Sequence, residues 1–158
     1  MFRKLFTTRS LCVSAVIAAL YAALTLLLAP ISYGNLQCRV SEAMTLLPMM
    51  FPSAIPGLFV GCLLANLLGG CTVWDIVFGS LATLIAAIGT YALRKKPLLA
   101  ALCPVLSNGV IVGAVLSFVY QLPLWLTMLE VAVGEIGAVI IGFAMLAALK
   151  RADLSKYQ

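Results

Sequence analysis

The sequence predicts an all-α integral membrane protein, a bundle of six transmembrane helices with both termini in the cytoplasm. Three observations predict this fold. The 158 residues are 64% hydrophobic and only 9% charged, whereas a soluble domain is about half apolar and a quarter charged. Nine of the ten Lys and Arg residues fall in three clusters. Turn signals divide the apolar sequence between these clusters into pieces of helical length.

The basic clusters predict the orientation. They are the N-terminal segment, Arg94–Lys96 and the C-terminal tail, and the positive-inside rule places all three in the cytoplasm. The number of crossings between successive clusters is then even. Residues 97–149 accommodate two spans that separate at Tyr120–Pro123. Residues 11–93 accommodate two or four, and the turn signals PISYGN, PSAIP and GGCTVWD favour four.

The six predicted helices are residues 11–30, 38–51, 56–69, 75–93, 98–119 and 124–149, and together they make residues 1–158 one membrane domain. The first follows a basic segment that is similar to the start of a signal peptide. It is read as a retained helix because its apolar run of about 20 residues is long enough to span the bilayer. It also shows no clear A-x-A-like cleavage signal.

The second and third predicted helices are short for a hydrocarbon core of about 30 Å. Short or interrupted spans often line a cavity. The alternative topology is four spanning helices with a re-entrant pair over residues 38–69.

Several function classes are excluded by residues that the sequence lacks. Histidine is absent, which excludes His-based zinc sites and Ser-His triads, and we expect neither an enzyme nor a metal site. No G-x-x-x-x-G-K-[ST] motif occurs, so we expect no ATP or other cofactor in this chain. The net charge is +5, and the basic residues that make it positive lie in the cytoplasmic clusters, so we expect no nucleic-acid partner. The five cysteines are read as packing residues, with a Cys38–Cys71 disulfide as the alternative.

Four acidic residues fall at the outer ends or in the outer halves of the predicted helices, together with one basic residue. They are Glu42, Asp75, Glu130 and Glu135, with Arg39 as the basic member. Ionisable side chains at membrane depth are costly and usually functional. An outward-facing pocket with this excess of negative charge suits a cation or a molecule rich in N–H donors, and does not suit a phosphate.

Arg39 and Glu42 are i,i+3 neighbours, so they either pair with each other or form the edge of a pocket. Glu135 lies about three turns into the last helix, on the same face as Ala138 and Gly142. These small residues allow another helix to approach closely, so Glu135 is predicted to point inward as a ligand-binding residue.

The remaining polar candidates each have a structural alternative. Glu130 is either a pocket residue or a solvated helix end, and Asp75 is either a ligand contact or a helix N-cap. Asn66 and Asn108 lie in apolar spans, where they bind either the ligand or a neighbouring helix.

Four aromatic residues lie at predicted outer helix ends, where an interfacial belt is the default interpretation. They are Tyr33, Trp74, Tyr120 and Trp125. Tyr33 and Trp74 are retained as candidates for stacking on a flat ligand.

In the first helix, small residues repeat at i,i+4, a spacing that lets a partner helix approach closely. They are Ala15, Ala19 and Ala23.

Four strings along the chain, in this order, resemble the QueT family over about residues 15–149. They are QCRVSEAMTLLP, AIPGLFVGCLLANLLGG, DIVFGSLATLIAA and VAVGEIGA. Members of that family are substrate-binding S components of energy-coupling factor (ECF) transporters. The resemblance implies six helices with cytoplasmic termini in the plasma membrane. It also implies a binding site near the outer face, under the loop ISYGNLQ.

The resemblance implies partners as well: a transmembrane coupling (T) subunit, which would contact Ala15, Ala19 and Ala23, and two cytoplasmic ABC ATPases that use the ATP. The implied cargo is a queuosine precursor or salvage product of the 7-deazaguanine class. The pocket residues expected for it are Glu42, Asn66, Asn108 and Glu135, with Arg39 beside them. The alternative function is a solitary secondary transporter or facilitator for a small cationic solute.

Overall fold

Helices make up almost all of the chain that the computed structural model describes, which is residues 7–32 and 39–152. There are five main α-helices and one 3-10 helix, and no strand occurs in these two ranges. The α-helices are α1 (Thr8–Leu27), α2 (Ala54–Leu68), α3 (Asp75–Ala92), α4 (Pro97–Tyr120) and α5 (Leu124–Arg151). The first five residues of α3, Asp75–Gly79, form a π-helix. The 3-10 helix is Val40–Met49, and a four-residue helix, Ala29–Ser32, follows α1. The prediction of an all-α fold is confirmed.

Four of these helices are long and apolar enough to cross a membrane. They are α1, α3, α4 and α5, with 20, 18, 24 and 28 residues. α2 is apolar but has only 15 residues, as expected from the short third segment. Each of the six predicted segments therefore corresponds to a helix. Six crossings and cytoplasmic termini remain predictions.

The second predicted segment is a 3-10 helix and not the α-helix that the sequence suggested. The Glu42 N–H donates to the Arg39 carbonyl at 2.9 Å, an i→i−3 bond, and Pro48 has no N–H to donate. Runs of this length are uncommon in 3-10 form. Since this helix rises about 2.0 Å per residue, its ten residues extend roughly 20 Å, about 5 Å more than in an α-helix.

The 3-10 helix lies inside the bundle and contacts all five α-helices, and residues 41–48 are all buried. It approaches α5 most closely at Gly142. A Cβ at Gly142 would lie 2.6 Å from the carbonyl oxygen of Ala43 and 2.9 Å from Cδ1 of Leu46. The close approach predicted on the Glu135 face is therefore confirmed, and the approaching element is the 3-10 helix.

α1 and α2 pack through small residues. A Cβ at Gly57 would lie 2.5 Å from the Ser14 carbonyl oxygen, and one at Gly61 would lie 3.0 Å from Cα of Ala18. Ala18 and Ala22 are buried on this face. The neighbouring strip of α1 carries Ala15, Ala19 and Ala23, which are all exposed.

α3 and α4 share a hydrogen bond at a proline. Pro104 lies inside α4 and has no N–H for the carbonyl of Ala100, four residues earlier. The hydroxyl of Thr90 on α3 donates to this carbonyl oxygen at 3.4 Å. In an apolar medium such a side chain satisfies the backbone group that proline frees.

The turn predicted at Tyr120–Pro123 separates α4 from α5. Gln121 adopts a left-handed conformation with φ of 55°, and the Leu122 N–H donates to the Ser117 carbonyl at 3.1 Å. Tyr120 and Trp125 are exposed on either side of it, as an interfacial aromatic belt requires.

Candidate substrate site in the bundle core

A small polar cavity lies where the 3-10 helix, α4 and α5 meet. Its volume is about 10 Å³, which is room for about one water molecule. Six residues line it: Arg39, Glu42, Asn108, Val112, Val131 and Glu135. Four of them were candidates from the sequence, and they come from three segments far apart in the chain: Arg39, Glu42, Asn108 and Glu135.

Both charged residues of the QCRVSEAMTLLP stretch line this cavity. Arg39 is the extended N-cap residue of the 3-10 helix, and Glu42 lies in the first turn of that helix. Both are buried, with 6% and 1% of their surfaces exposed. Arg39 Nη1 lies 3.9 Å from the sulfur of Cys62 on α2.

One oxygen of Glu42 is held by hydroxyl groups from two other helices. The Tyr21 hydroxyl on α1 donates to Glu42 Oε1. The Thr83 hydroxyl on α3 lies 3.0 Å from the same oxygen. The hydrogen-bond donors to this oxygen are thus on α1 and α3, two helices that are distant from Glu42 in the sequence.

Asn108 and Glu135 form the other side of the cavity. Asn108 Nδ2 on α4 donates to Glu135 Oε1 on α5 at 2.9 Å. Only 2% of Asn108 and 3% of Glu135 is exposed. Asn108 therefore makes the helix–helix hydrogen bond of one interpretation and also lines the cavity, while its binding to a ligand remains a prediction.

Three buried oxygens of the cavity-lining side chains accept no hydrogen bond from residues 7–32 or 39–152. They are Glu42 Oε2, Asn108 Oδ1 and Glu135 Oε2. A buried polar atom without a partner costs about 1–3 kcal/mol, and more when charged. Native proteins keep such atoms where something else binds them. The side chains that line the cavity thus carry three unused acceptors, beside the guanidinium of Arg39.

The formal charge of the cavity is −1, from two carboxylates and one guanidinium. Carboxylates are acceptors only when ionised, and an amide oxygen is an acceptor as well. A ligand with several N–H groups, or with one positive charge, complements this set. Phosphate, an acceptor and an anion, does not.

Two other candidates from the sequence lie outside the cavity and link α2 to α3. Asn66 Nδ2 donates to the carbonyl oxygen of Asp75 at 3.1 Å. Asp75 Oδ2 accepts from the Thr72 hydroxyl at 2.7 Å, and the Asp75 N–H lies 3.3 Å from the same hydroxyl oxygen. Thr72 caps the start of α3 in this way, and Asp75 is its partner three residues later.

The remaining candidates are also not part of the cavity lining. Glu130 is half-buried on α5. Trp74 is 52% exposed and stacks on Phe78 with ring centroids 5.8 Å apart. Tyr33, Cys38 and most of the loop ISYGNLQ lie outside the described residues, so their predicted roles and the Cys38–Cys71 pairing remain predictions.

Comparison with known proteins decides the family. The family model described as QueT transporter matches residues 11–151. A similar protein is the queuosine precursor transporter QueT of Lactococcus lactis subsp. cremoris (strain MG1363). It is 32% identical, and the match covers 90% of this chain and 93% of the relative. The chain belongs to the QueT transporter family. No solved structure matches it significantly.

QueT membership confirms two predictions from the sequence. The family is one of transporters, so the chain is not an enzyme. Its apolar helices, together with the family, identify a multi-pass membrane protein.

In this QueT protein, sequence reasoning missed the residues that support the cavity. Tyr21 and Thr83 hold Glu42, while Val112 and Val131 line apolar walls. Tyr21 could have been found from its position in the middle of an apolar helix, since a buried tyrosine hydroxyl usually has a hydrogen-bond partner. The valines resemble many others in the chain and give no such signal.

Proposed function

We propose that this chain is the S component of an ECF-type ABC importer, and that it captures a queuosine precursor of the 7-deazaguanine class at the outer face. The observation that carries the proposal is a set of three buried acceptor oxygens without a partner among the described residues, on three side chains that line one cavity: Glu42, Asn108 and Glu135. Membership of the QueT transporter family supports it.

The chemistry of a 7-deazaguanine complements this set. The base presents N1–H and an exocyclic amine as neighbouring donors, and carboxylates accept from such base-edge groups. An aminomethyl substituent would carry a positive charge and offset the formal −1 of the cavity. Val112 and Val131 supply apolar surface for the ring. The name of the Lactococcus lactis relative, a queuosine precursor transporter, supports the same cargo class.

Substrate capture requires the cavity to widen. A volume of about 10 Å³ accommodates one water molecule, whereas a bicyclic base has about ten heavy atoms. The cavity walls belong to three separate elements, the 3-10 helix, α4 and α5. We therefore infer that these elements separate to admit the base and close again around it.

The proposed partners are a transmembrane coupling subunit and two cytoplasmic ABC ATPases, which use the ATP. The exposed alanine face of α1, formed by Ala15, Ala19 and Ala23, supports contact with the coupling subunit, because small residues let helix backbones approach closely. In this arrangement the chain lies in the plasma membrane with both termini in the cytoplasm.

Mass spectrometry of small molecules that co-purify with the detergent-solubilised protein tests the cargo. We expect a 7-deazaguanine. A riboflavin-like or thiamine-like ligand would contradict that cargo, but not the proposal that the chain is an S component.

Uptake in cells with and without the ATPase module tests the mechanism. Uptake that needs the module supports an S component, and uptake that persists without it supports a solitary facilitator for a small cation.

A further inference from the structure

Glu42 and Glu135, which both line the cavity, each have one oxygen bound to the protein and one oxygen that is not. Glu42 Oε1 is bound by hydroxyls from α1 and α3, and Glu135 Oε1 by the Asn108 amide. Only the Oε2 atom of each lacks a partner among the described residues. A ligand therefore meets three single acceptors on three side chains, and not one carboxylate that grips two donors with both oxygens.

We propose that Tyr21 is a positioning residue for Glu42, and that it fixes Oε1 so that only Oε2 is offered to the substrate. This inference rests on the proposed function of the cavity. Tyr21 is fully buried and does not line the cavity, so it acts through Glu42 and not by touching the ligand.

Tyr21 and Thr83, the two groups that hold Glu42, differ in how their hydroxyls are placed. A tyrosine has two side-chain torsions and its ring is packed against the core, so its hydroxyl is held in place. The Cβ of Tyr21 would lie only 2.8 Å from a Cβ at Gly61 on α2. The Thr83 hydroxyl has a single proton and also lies 3.2 Å from the Gly79 carbonyl oxygen and 3.4 Å from the Cys62 sulfur. A hydrogen bond to a carboxylate is about twice as strong as one between neutral groups.

The consequence is a specific mode of recognition. A carboxylate free to rotate accepts equally from many donor arrangements, whereas a fixed Oε2 accepts along one direction. Tyr21 thus converts Glu42 from a general negative charge into a directional acceptor. It also connects the substrate site to α1, the helix that carries the exposed alanines.

A double-mutant cycle in substrate binding tests this role, with 7-aminomethyl-7-deazaguanine as the probe. Tyr21→Phe keeps the ring and removes the hydroxyl, and we expect it to weaken binding roughly ten-fold. In a Glu42→Gln background we expect the same change to weaken binding less than about three-fold, because the carboxylate it positions is gone. A purely structural role would give the same factor in both backgrounds, which would overturn the proposal. Tyr91→Phe, at the end of α3 and away from the cavity, is the matched control and should change neither value.

A second cycle needs no ligand. Thermal unfolding is measured for Tyr21→Phe, Glu42→Met and the double variant in detergent. We expect the Tyr21→Phe shift in midpoint to be at least halved when Glu42 is Met. Additive shifts would overturn the inference. If the wild-type protein binds no 7-deazaguanine, the proposed function fails and this cycle alone decides the inference.

Discussion

Asn108 on α4 and Glu135 on α5 form a buried hydrogen-bonded pair, and both side chains line the same cavity. The Nδ2–Oε1 distance is 2.9 Å, and Asn108 Oδ1 and Glu135 Oε2 have no partner among residues 7–32 and 39–152. The pair therefore joins two helices and, in the proposed site, offers two acceptors to the ligand.

Glu135→Gln is the first test of the pocket. The substitution keeps the shape and removes the negative charge, so we expect affinity for 7-aminomethyl-7-deazaguanine to fall roughly ten- to hundred-fold, the range for a hydrogen bond to a charged group. Isothermal titration calorimetry measures the change. Glu130→Gln is the matched substitution outside the cavity, where we expect less than about a three-fold effect. Unchanged binding in Glu135→Gln would remove Glu135 from the pocket.

Gly142→Leu tests the packing of the 3-10 helix on α5. A Cβ at this position already lies 2.6 Å from the Ala43 carbonyl oxygen, and backbone cannot move aside as a side chain can. Overpacking of this kind costs about 1–3 kcal/mol, so we expect a lower thermal unfolding midpoint. Ala144→Leu, on an exposed position of the same helix, is the control. Equal midpoints for the two variants would contradict the close packing.

Thr90→Val tests the hydrogen bond to the carbonyl that Pro104 frees. Such bonds in membrane proteins average about 0.6 kcal/mol, and we expect a loss of stability of about that size. In a Pro104→Ala background the new N–H can bond to Ala100 within α4, and Thr90→Val should then cost less. Denaturant unfolding of the four proteins measures this. A cost that does not depend on residue 104 would show that Thr90 acts in another way.

Ala19→Leu tests the proposed contact with the coupling subunit. Ala19 is exposed, while Ala18 packs against α2, so substitutions to Leu at these two positions should have different effects. We expect Ala19→Leu to keep substrate binding and lose co-purification with the coupling subunit, and Ala18→Leu to lower the unfolding midpoint. Ala144→Leu controls for a larger residue at an exposed position. Normal co-purification of Ala19→Leu would exclude this face as the contact.

A reporter fusion at Ser53 tests the number of crossings. Ser53 lies between the 3-10 helix and α2, and six crossings place it in the cytoplasm. A re-entrant pair over residues 38–69 would return the chain to the outside before α3, and Ser53 would not reach the cytoplasm. Fusions at Lys95 and Gln121 mark the expected cytoplasmic and outer sides. An outer signal at Ser53 would favour four full crossings.

The sequence alone determined the class of this protein, because hydropathy and the placement of Lys and Arg depend only on composition along the chain. It predicted the all-α membrane fold and a helix near each of the six observed segments. It also singled out Arg39, Glu42, Asn108 and Glu135, since charged and amide side chains in apolar spans are rare enough to be conspicuous.

Only the tertiary structure decided which of these polar residues meet and how. Like Asn108 and Glu135, Asn66 and Asp75 are polar residues in predicted apolar helices. Asn66 nevertheless donates to the backbone carbonyl of Asp75 and so joins α2 to α3 outside the cavity. The 3-10 form of residues 40–49 was not predicted, and neither was their close approach to Gly142, a contact between segments distant in the chain. The same packing brings Tyr21 to Glu42. Residue type thus predicted the candidates, and contacts between helices far apart in sequence selected the four that line the cavity.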